Sequence, residues 1–241
     1  MKRLITVSMK KVVALSSAVL ALCLTTQAQL IDDFTGDLSA YTSTVILDAN
    51  GGAANTSAWE ISGGTLQLNT TAFDGIEQYA MIYNGLSLGV GYEVQMVLTH
   101  SGASQDLGLY VGGTTPVTGT RQDYVAMYAR NNGQLFSRGF DGTTEFSLAG
   151  GSTATYDTLF IARTAANTYE AGYYDGVTRN IVVTRTPTTP NDADVVGFYA
   201  DVRAAGILGN VDSLTIIPEP STLLLLGLGG IACVFRLRRR S

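Results

Sequence analysis

The stretch YEVQMVLT, from Tyr92 to Thr99, alternates apolar residues with mostly polar ones. In an extended chain, successive side chains point to opposite faces, so one face here carries Tyr92, Val94, Met96 and Leu98. A period of two is typical of a half-buried β-strand and excludes an amphipathic helix. The stretch therefore predicts a strand with one face in a hydrophobic core.

The same alternation recurs along the chain between Gln29 and Ile217, where helical periodicity is hard to find. It is clear in DLGLYVGG from Asp106, in YVAMYAR from Tyr124 and in YDTLFIAR from Tyr156. Asn-Gly and Asp-Gly pairs, which favour tight hairpin turns, separate several of these segments. We predict an all-β fold, a single antiparallel jelly-roll β-sandwich over residues 29–217.

The order of features within this body resembles a known family. DDF at Asp32 to Phe34 is followed by Trp59 before SGGTLQLN, then by long central strands, by VVGFYADV from Val195 and by NVDSLTI from Asn210. This pattern is similar to the concanavalin A-like lectin/glucanase jelly roll. The resemblance implies two curved sheets with the first and last strands adjacent, in a fold used mostly for glycan binding and less often for glycan hydrolysis.

The N-terminus has the layout of a secretory signal peptide over residues 1–28. Basic residues precede an apolar run from Val12 to Leu24, and the small residues Thr26 and Ala28 stand where a signal peptidase reads the chain. We expect export, with signal peptidase and the export machinery as partners and Gln29 as the first mature residue.

The C-terminal 24 residues, 218–241, combine three features in order. Pro218, Glu219 and Pro220 come first, and the prolines favour extended backbone outside any helix. An apolar run from Leu223 to Phe235 follows, which predicts a short transmembrane helix of about 20 Å. The chain then ends in a basic cluster, which should stay on the cytoplasmic side and leave the body outside: Arg236, Arg238, Arg239 and Arg240.

This tail resembles the PEP-CTERM sorting signal of exported proteins in Gram-negative bacteria that make extracellular polysaccharide. The resemblance implies recognition by an exosortase, a membrane-embedded cysteine transpeptidase-like enzyme, with cleavage near the motif. It also implies transient anchoring in the inner membrane, followed by release to the cell surface or extracellular matrix. The alternative is an ordinary tail anchor.

The charge of the body excludes one class of partner. Residues 29–217 contain seven arginines, no lysine and nineteen acidic residues, which is a formal charge of −12. Such a surface repels nucleic acid, so we expect no nucleic-acid partner. Both cysteines, Cys23 and Cys233, lie in the apolar ends, so the exported body has no thiol.

The sequence carries no recognisable catalytic motif. None of the body's five glutamates begins the E-x-D-x-x-E strand that is expected of the glucanase branch, and His100 is the only histidine. We therefore expect a non-enzymatic protein whose body binds exopolysaccharide. Two alternatives remain open: a glycan hydrolase with an unrecognised site, and a purely structural matrix protein.

A glycan-binding face is predicted on the segment YVAMYARNNGQ. Tyr124, Tyr128 and Arg130 have one parity, opposite to that of the apolar residues between them. We expect the apolar set in the core, with the two tyrosines and the arginine on an exposed sheet surface where a sugar could stack.

A calcium site is the one cofactor prediction. If the first and last strands are adjacent, as the resemblance implies, Asp32 or Asp33 would meet Asp212 at a buried edge, and Asp33 with Asp212 is the predicted pair. Two buried carboxylates would require a cation between them, and oxygen ligands suit calcium.

Overall fold

The computed structural model describes residues 28–49, 58–70, 75–99, 106–113, 115–130, 132–146, 148–189 and 192–218. These residues form sixteen β-strands, β1 to β16, and no helix, arranged in two sheets of eight strands. All strand pairs are antiparallel, with β1 pairing with β16 and β11 with β9. The all-β sandwich predicted from the alternating pattern is confirmed.

The first sheet has the order β14-β13-β12-β6-β16-β4-β3, with β1 beside β16. Its strands are β1 (Gln29–Asp32), β3 (Trp59–Ser62), β4 (Thr65–Asn69), β6 (Tyr92–Thr99), β12 (Thr158–Ala165), β13 (Thr168–Asp175), β14 (Thr178–Arg185) and β16 (Ile207–Pro218).

The second sheet has the order β10-β9-β8-β7-β15-β5-β2, with β11 beside β9. Its strands are β2 (Tyr41–Asp48), β5 (Glu77–Tyr83), β7 (Asp106–Gly112), β8 (Tyr124–Arg130), β9 (Gln134–Asp141), β10 (Thr144–Glu145), β11 (Ala149–Thr153) and β15 (Val195–Val202).

The core is made by the facing sides of the two sheets. Val94, Met96 and Leu98 of β6 are buried in it, as the alternation predicted. Tyr92 has the same parity but is 40% exposed, because it stands at the first position of β6, at the end of the sheet. Each fully buried apolar side chain contributes about 1.5–3 kcal/mol, so this interface is the main source of stability.

The two chain ends of the sandwich lie side by side in the first sheet. Gln29, the first residue of β1, pairs with Ile216 of β16, so the adjacency of first and last strands is confirmed. On its other side β16 pairs with β6 as far as Pro218, which lies opposite Tyr92.

Several predicted segments lie outside the described residues. They are residues 1–27 of the signal peptide, His100, and the tail after Pro218, which includes Glu219, Pro220, the apolar run, Arg236, Arg238, Arg239 and Arg240. Within the part of the chain that the structure describes, no helix is long and apolar enough to cross a membrane.

Candidate functional site

Strand β8 divides its side chains as the parity predicted. Val125, Met127 and Ala129 lie in the core between the sheets. Tyr124 and Tyr128 point to the other side, the outer face of the second sheet, and belong to a separate hydrophobic cluster. That cluster consists of Ile46, Ala80, Ile82, Tyr110, Tyr124, Ala126, Tyr128, Phe136, Phe140, Val195 and Tyr199.

The predicted exposure of the two tyrosines is wrong, because Tyr124 and Tyr128 are both 0% exposed. Tyr124 stacks on Tyr110 with ring centroids 4.7 Å apart, and Tyr128 stacks on Phe136 at 5.9 Å. Burial raises the pKa of both phenols above the usual value near 10. Neither ring offers an open platform for a sugar.

Close backbone packing brings Tyr128 against the neighbouring strand. Gly108 of β7 pairs directly with Tyr128, and a Cβ atom on Gly108 would come within 1.9 Å of the Met127 carbonyl oxygen. A side chain at position 108 would therefore force β7 and β8 apart.

Two buried carboxylates lie next to this aromatic cluster, on the same face of the sheet. Asp201 of β15 and Asp106 of β7 are direct cross-strand partners, 1% and 3% exposed. Like charges in opposite positions on a sheet repel, so each of these side chains needs a cationic or donor partner.

Arg130 is the partner of Asp106. Its Nε donates to Asp106 Oδ1 at 2.7 Å and its Nη2 to Oδ2 at 3.2 Å, which is a two-pronged ion pair. The Arg130 guanidinium also lies 4.2 Å from the centroid of the Phe136 ring. Burial nevertheless raises the pKa of Asp106; Arg130 opposes the rise and the charge of Asp201 adds to it.

Asp201 has donors on three sides. Gln78 Nε2 donates to Asp201 Oδ2 at 2.9 Å and Arg138 Nη1 donates to the same oxygen at 3.0 Å. Arg203, whose side chain is 50% exposed, donates through Nε to Oδ1 at 3.1 Å. We call these six residues the Asp201 cluster: Gln78, Asp106, Arg130, Arg138, Asp201 and Arg203.

The hydrogen bonding on this face is incomplete. Among the described residues, the hydroxyls of Tyr124 and Tyr128 and the amide oxygen of Gln78 are buried without a hydrogen-bond partner. An unmade hydrogen bond at a buried polar atom costs about 1–3 kcal/mol. Three such atoms lie on one sheet face, next to the ion pairs of the Asp201 cluster. Each could form a hydrogen bond with a hydroxyl group of a ligand.

The structure brings the predicted glycan-binding residues together but gives them different surroundings. Arg130 is partly exposed, with a side-chain exposure of 34%, whereas the two tyrosines are buried. Sequence reasoning missed the other five members of the Asp201 cluster: Gln78, Asp106, Arg138, Asp201 and Arg203. The sequence did contain one signal: Asp106 has the same parity as the glycines and the tyrosine of DLGLYVG, so it lies on the outer face of β7. The pairing of β7 with β15, which places Asp201 opposite Asp106, could not be predicted from that alternation.

The premise of the calcium prediction is wrong, because neither carboxylate is buried. Asp33 is exposed and accepts hydrogen bonds from the Thr35 amide and hydroxyl, at 3.2 and 2.8 Å, which lower its pKa. Asp212 is also exposed. The described residues contain no group of three or more histidine, cysteine, aspartate or glutamate side chains that could hold a metal ion.

Comparison with known proteins bears on the tail and on the body separately. The segment that begins at Ile217 matches the model of the PEP-CTERM protein-sorting motif. Residues 217–240 are a PEP-CTERM sorting motif. The PEP-CTERM motif indicates an exported protein that an exosortase processes. A search of curated proteins found no match to this chain.

The body is similar in fold to solved lectin and glucanase structures. A Bacillus licheniformis β-glucanase aligns with a TM-score of 0.53 at 12% identity, covering 80% of this chain and 97% of the other. The Emp47p carbohydrate recognition domain gives 0.52 at 11%, covering 80% and 95%. The VIP36 exoplasmic/lumenal domain in its Ca²⁺/Man₃GlcNAc-bound form gives 0.51 at 11%, covering 79% and 87%. These likenesses establish the concanavalin A-like sandwich fold.

Proposed function

We propose that this chain is an exported, exosortase-sorted protein whose body binds exopolysaccharide on the outer face of the second sheet. The observation that carries the binding function is the set of unpartnered polar atoms on Gln78, Tyr124 and Tyr128 beside the Asp201 cluster. Sugar hydroxyls both donate and accept hydrogen bonds, so they complement such a set. The glycan-binding members of the same fold support this proposal.

In this proposal a polysaccharide approaches the site at its arginine edge, where the partly exposed side chains lie. The side chains of Arg130 and Arg203 are 34% and 50% exposed and lie over the buried carboxylates. Long guanidinium side chains can swing outward while the sheet below stays fixed. A single site of this kind is weak, and a matrix protein gains avidity from many copies along one polymer.

The experiment is retention of the purified body, residues 29–218, on the immobilised exopolysaccharide of its own host. Tyr128→Phe keeps the ring and removes only the unpartnered hydroxyl, so we expect about five-fold weaker retention, equivalent to about 1 kcal/mol for one hydrogen bond. Tyr174→Phe on the first sheet is the matched control and should retain normally. Equal retention of Tyr128→Phe and the parent would overturn the binding site.

The sorting route has its own test. In the proposed route, signal peptidase removes residues 1–28, the apolar run anchors the tail with the arginines inside, and exosortase releases the body to the cell surface or matrix. Glu219→Ala should leave export intact and block C-terminal maturation. Recovery of the same shortened C-terminus from this variant would contradict exosortase recognition of the motif.

The second candidate function is glycan hydrolysis, and the Asp106–Asp201 pair favours it. Glycoside hydrolysis uses two carboxyl groups, one as the acid and one as the base or nucleophile. Asp106 and Asp201 are cross-strand partners, and burial raises the pKa of Asp106. If this is the function, the parent should release reducing ends from exopolysaccharide and Asp201→Asn should not. If the body is neither retained on exopolysaccharide nor hydrolyses it, the interpretation as a structural matrix protein remains.

A further inference from the structure

The sorting motif and the folded body share residues. The PEP-CTERM motif begins at Ile217, whereas the last strand of the sandwich, β16, runs from Ile207 to Pro218. Ile217 pairs with Glu93 and Pro218 with Tyr92 of β6, and Pro218 is buried. The first proline of the motif is therefore part of the first sheet.

Strand β16 is firmly held just before the motif. Leu214 is completely buried in the core, and Ile216 packs against it. The backbone from Leu214 to Ile216 has β6 on one side and β1 on the other, where Gln29 pairs with Ile216. Pulling these residues out of the sheet would expose core side chains and break ladder hydrogen bonds on both edges.

A transpeptidase-like enzyme needs an extended, unpaired backbone around the bond that it cleaves. In the folded body the backbone up to Ile216 is not available, because Ile216 is paired with a neighbouring strand on both edges. Ile217 and Pro218 are paired on one edge only, so they are partly available. Pro218 is the last described residue of β16, and Glu219 follows it in the sequence.

We infer that the C-terminal processing bond lies after Pro218, and that the mature body keeps Ile217 and Pro218 as the end of β16. This rests on the proposed sorting route. The thiolate of the enzyme attacks the carbonyl carbon of Pro218, or of a later residue, and the bond to the next nitrogen breaks. The tail leaves as its protonated amine, and water or an acceptor amine then releases the body from the thioester.

The pairing of Gln29 with Ile216 adds a geometric consequence. In the proposed route, signal peptidase and exosortase cut at the same end of the first sheet, because Gln29 pairs with Ile216 and the motif begins at the next residue, Ile217. In the same proposed route, this end of the sandwich faces the membrane before processing. The close approach of the body restricts access of the enzyme to the motif.

The first test is the intact mass of the mature protein from a host that carries an exosortase. We expect a C-terminus at Pro218 or at a later residue. A C-terminus at Ile217 or earlier would overturn the assignment while leaving exosortase sorting intact. Complete absence of C-terminal cleavage would instead overturn the sorting route, and the assignment with it.

The second test measures access. A Gly-Ser-Gly-Ser insertion between Ile217 and Pro218 keeps the Pro218-Glu219-Pro220 sequence and everything after it intact but moves it away from the sheet, and we expect at least three-fold faster maturation in pulse-chase labelling. The control places the same insertion between Gly176 and Val177, in the β13–β14 turn, where Val177 is 98% exposed. It should mature at the parental rate. Equal rates for the two insertions would contradict shielding by the strand.

Discussion

The outer face of each sheet carries a network of buried charged side chains, but the two networks differ in how many of their polar atoms are hydrogen-bonded. On the first sheet, Glu93 is 0% exposed and accepts hydrogen bonds from Gln95 Nε2 at 2.7 Å, Tyr174 Oη at 2.9 Å and Arg179 Nε at 2.9 Å. Arg179 also binds Glu170 at 2.7 Å. We call these five residues the Glu93 cluster. Both of the Glu93 carboxylate oxygens are satisfied.

On the second sheet, the Asp201 cluster places two carboxylates opposite each other and leaves hydroxyls beside them without partners. A complete network stabilises a fold, whereas an incomplete one costs free energy. In the Glu93 cluster, Arg179 Nη2 is the one buried side-chain atom without a hydrogen bond among the described residues. The hydrogen bonding of the first sheet is therefore more complete than that of the second, which fits the binding role that we propose for the second sheet.

The largest expected effect comes from neutralising each central carboxylate. Glu93→Gln removes the charge that holds Arg179 and should lower the free energy of unfolding by about 3 kcal/mol. Asp201→Asn should cost roughly half as much, because it also removes the repulsion from Asp106 and because Arg203 can turn to solvent. Denaturant unfolding measures both. A loss for Asp201→Asn as large as that for Glu93→Gln would break the comparison.

A smaller effect is expected from removing single hydroxyls. Tyr174 donates to Glu93, so Tyr174→Phe should lower the free energy of unfolding by about 1 kcal/mol. The Tyr128 hydroxyl is buried without a partner among the described residues, so Tyr128→Phe should leave stability unchanged or raise it slightly. The two variants remove the same atom from opposite faces. Equal destabilisation would mean that the Tyr128 hydroxyl is already satisfied.

The elements of the fold could be predicted, but the candidate site only in part. Alternation places Val125 and Met127 in the core because the pleat of a strand dictates it, whatever the neighbouring strands are. The site needs Gln78, Asp106 and Asp201 side by side, and only the order β8-β7-β15-β5 brings such distant segments together. Tyr128 was predicted to be exposed because strand parity gives the face on which a side chain lies but not whether other side chains cover it, and a second hydrophobic cluster covers it here.

The pH dependence offers a finer test of the second sheet. Burial raises the pKa of Asp106, so the folded state holds its proton more tightly than the unfolded chain. Its contribution to stability is present below the unfolded pKa, near 4, and is lost as the pH rises through the folded pKa. Relative to Asp106→Asn, the parent should therefore lose free energy of unfolding as the pH rises from about 4.

Asp141 should give the opposite dependence of stability on pH in the same experiment, because its pKa is lowered rather than raised. Its carboxylate accepts hydrogen bonds from Thr188 and Thr189, which hold its pKa well below the usual value. Its contribution is present above the unfolded pKa and is lost as the pH falls through the folded pKa. Relative to Asp141→Asn, the parent should lose stability on acidification. If the difference in free energy of unfolding between parent and variant changed with pH in the same direction for Asp106→Asn and Asp141→Asn, the burial of Asp106 would be contradicted.

The smallest effect is expected where the sequence predicted calcium. Asp33 and Asp212 are exposed, and Asp33 has partners of its own in Thr35, so no buried pair of carboxylates requires a cation. A ligand that binds only the folded state raises the melting temperature by mass action. Adding calcium at about a millimolar, or a chelator, should therefore shift the melting temperature of the body by less than about a degree, and Asp33→Asn should respond in the same way. A calcium-dependent rise of several degrees that Asp33→Asn abolishes would restore the calcium site and would move the functional centre from the second sheet to the β1–β16 edge of the first.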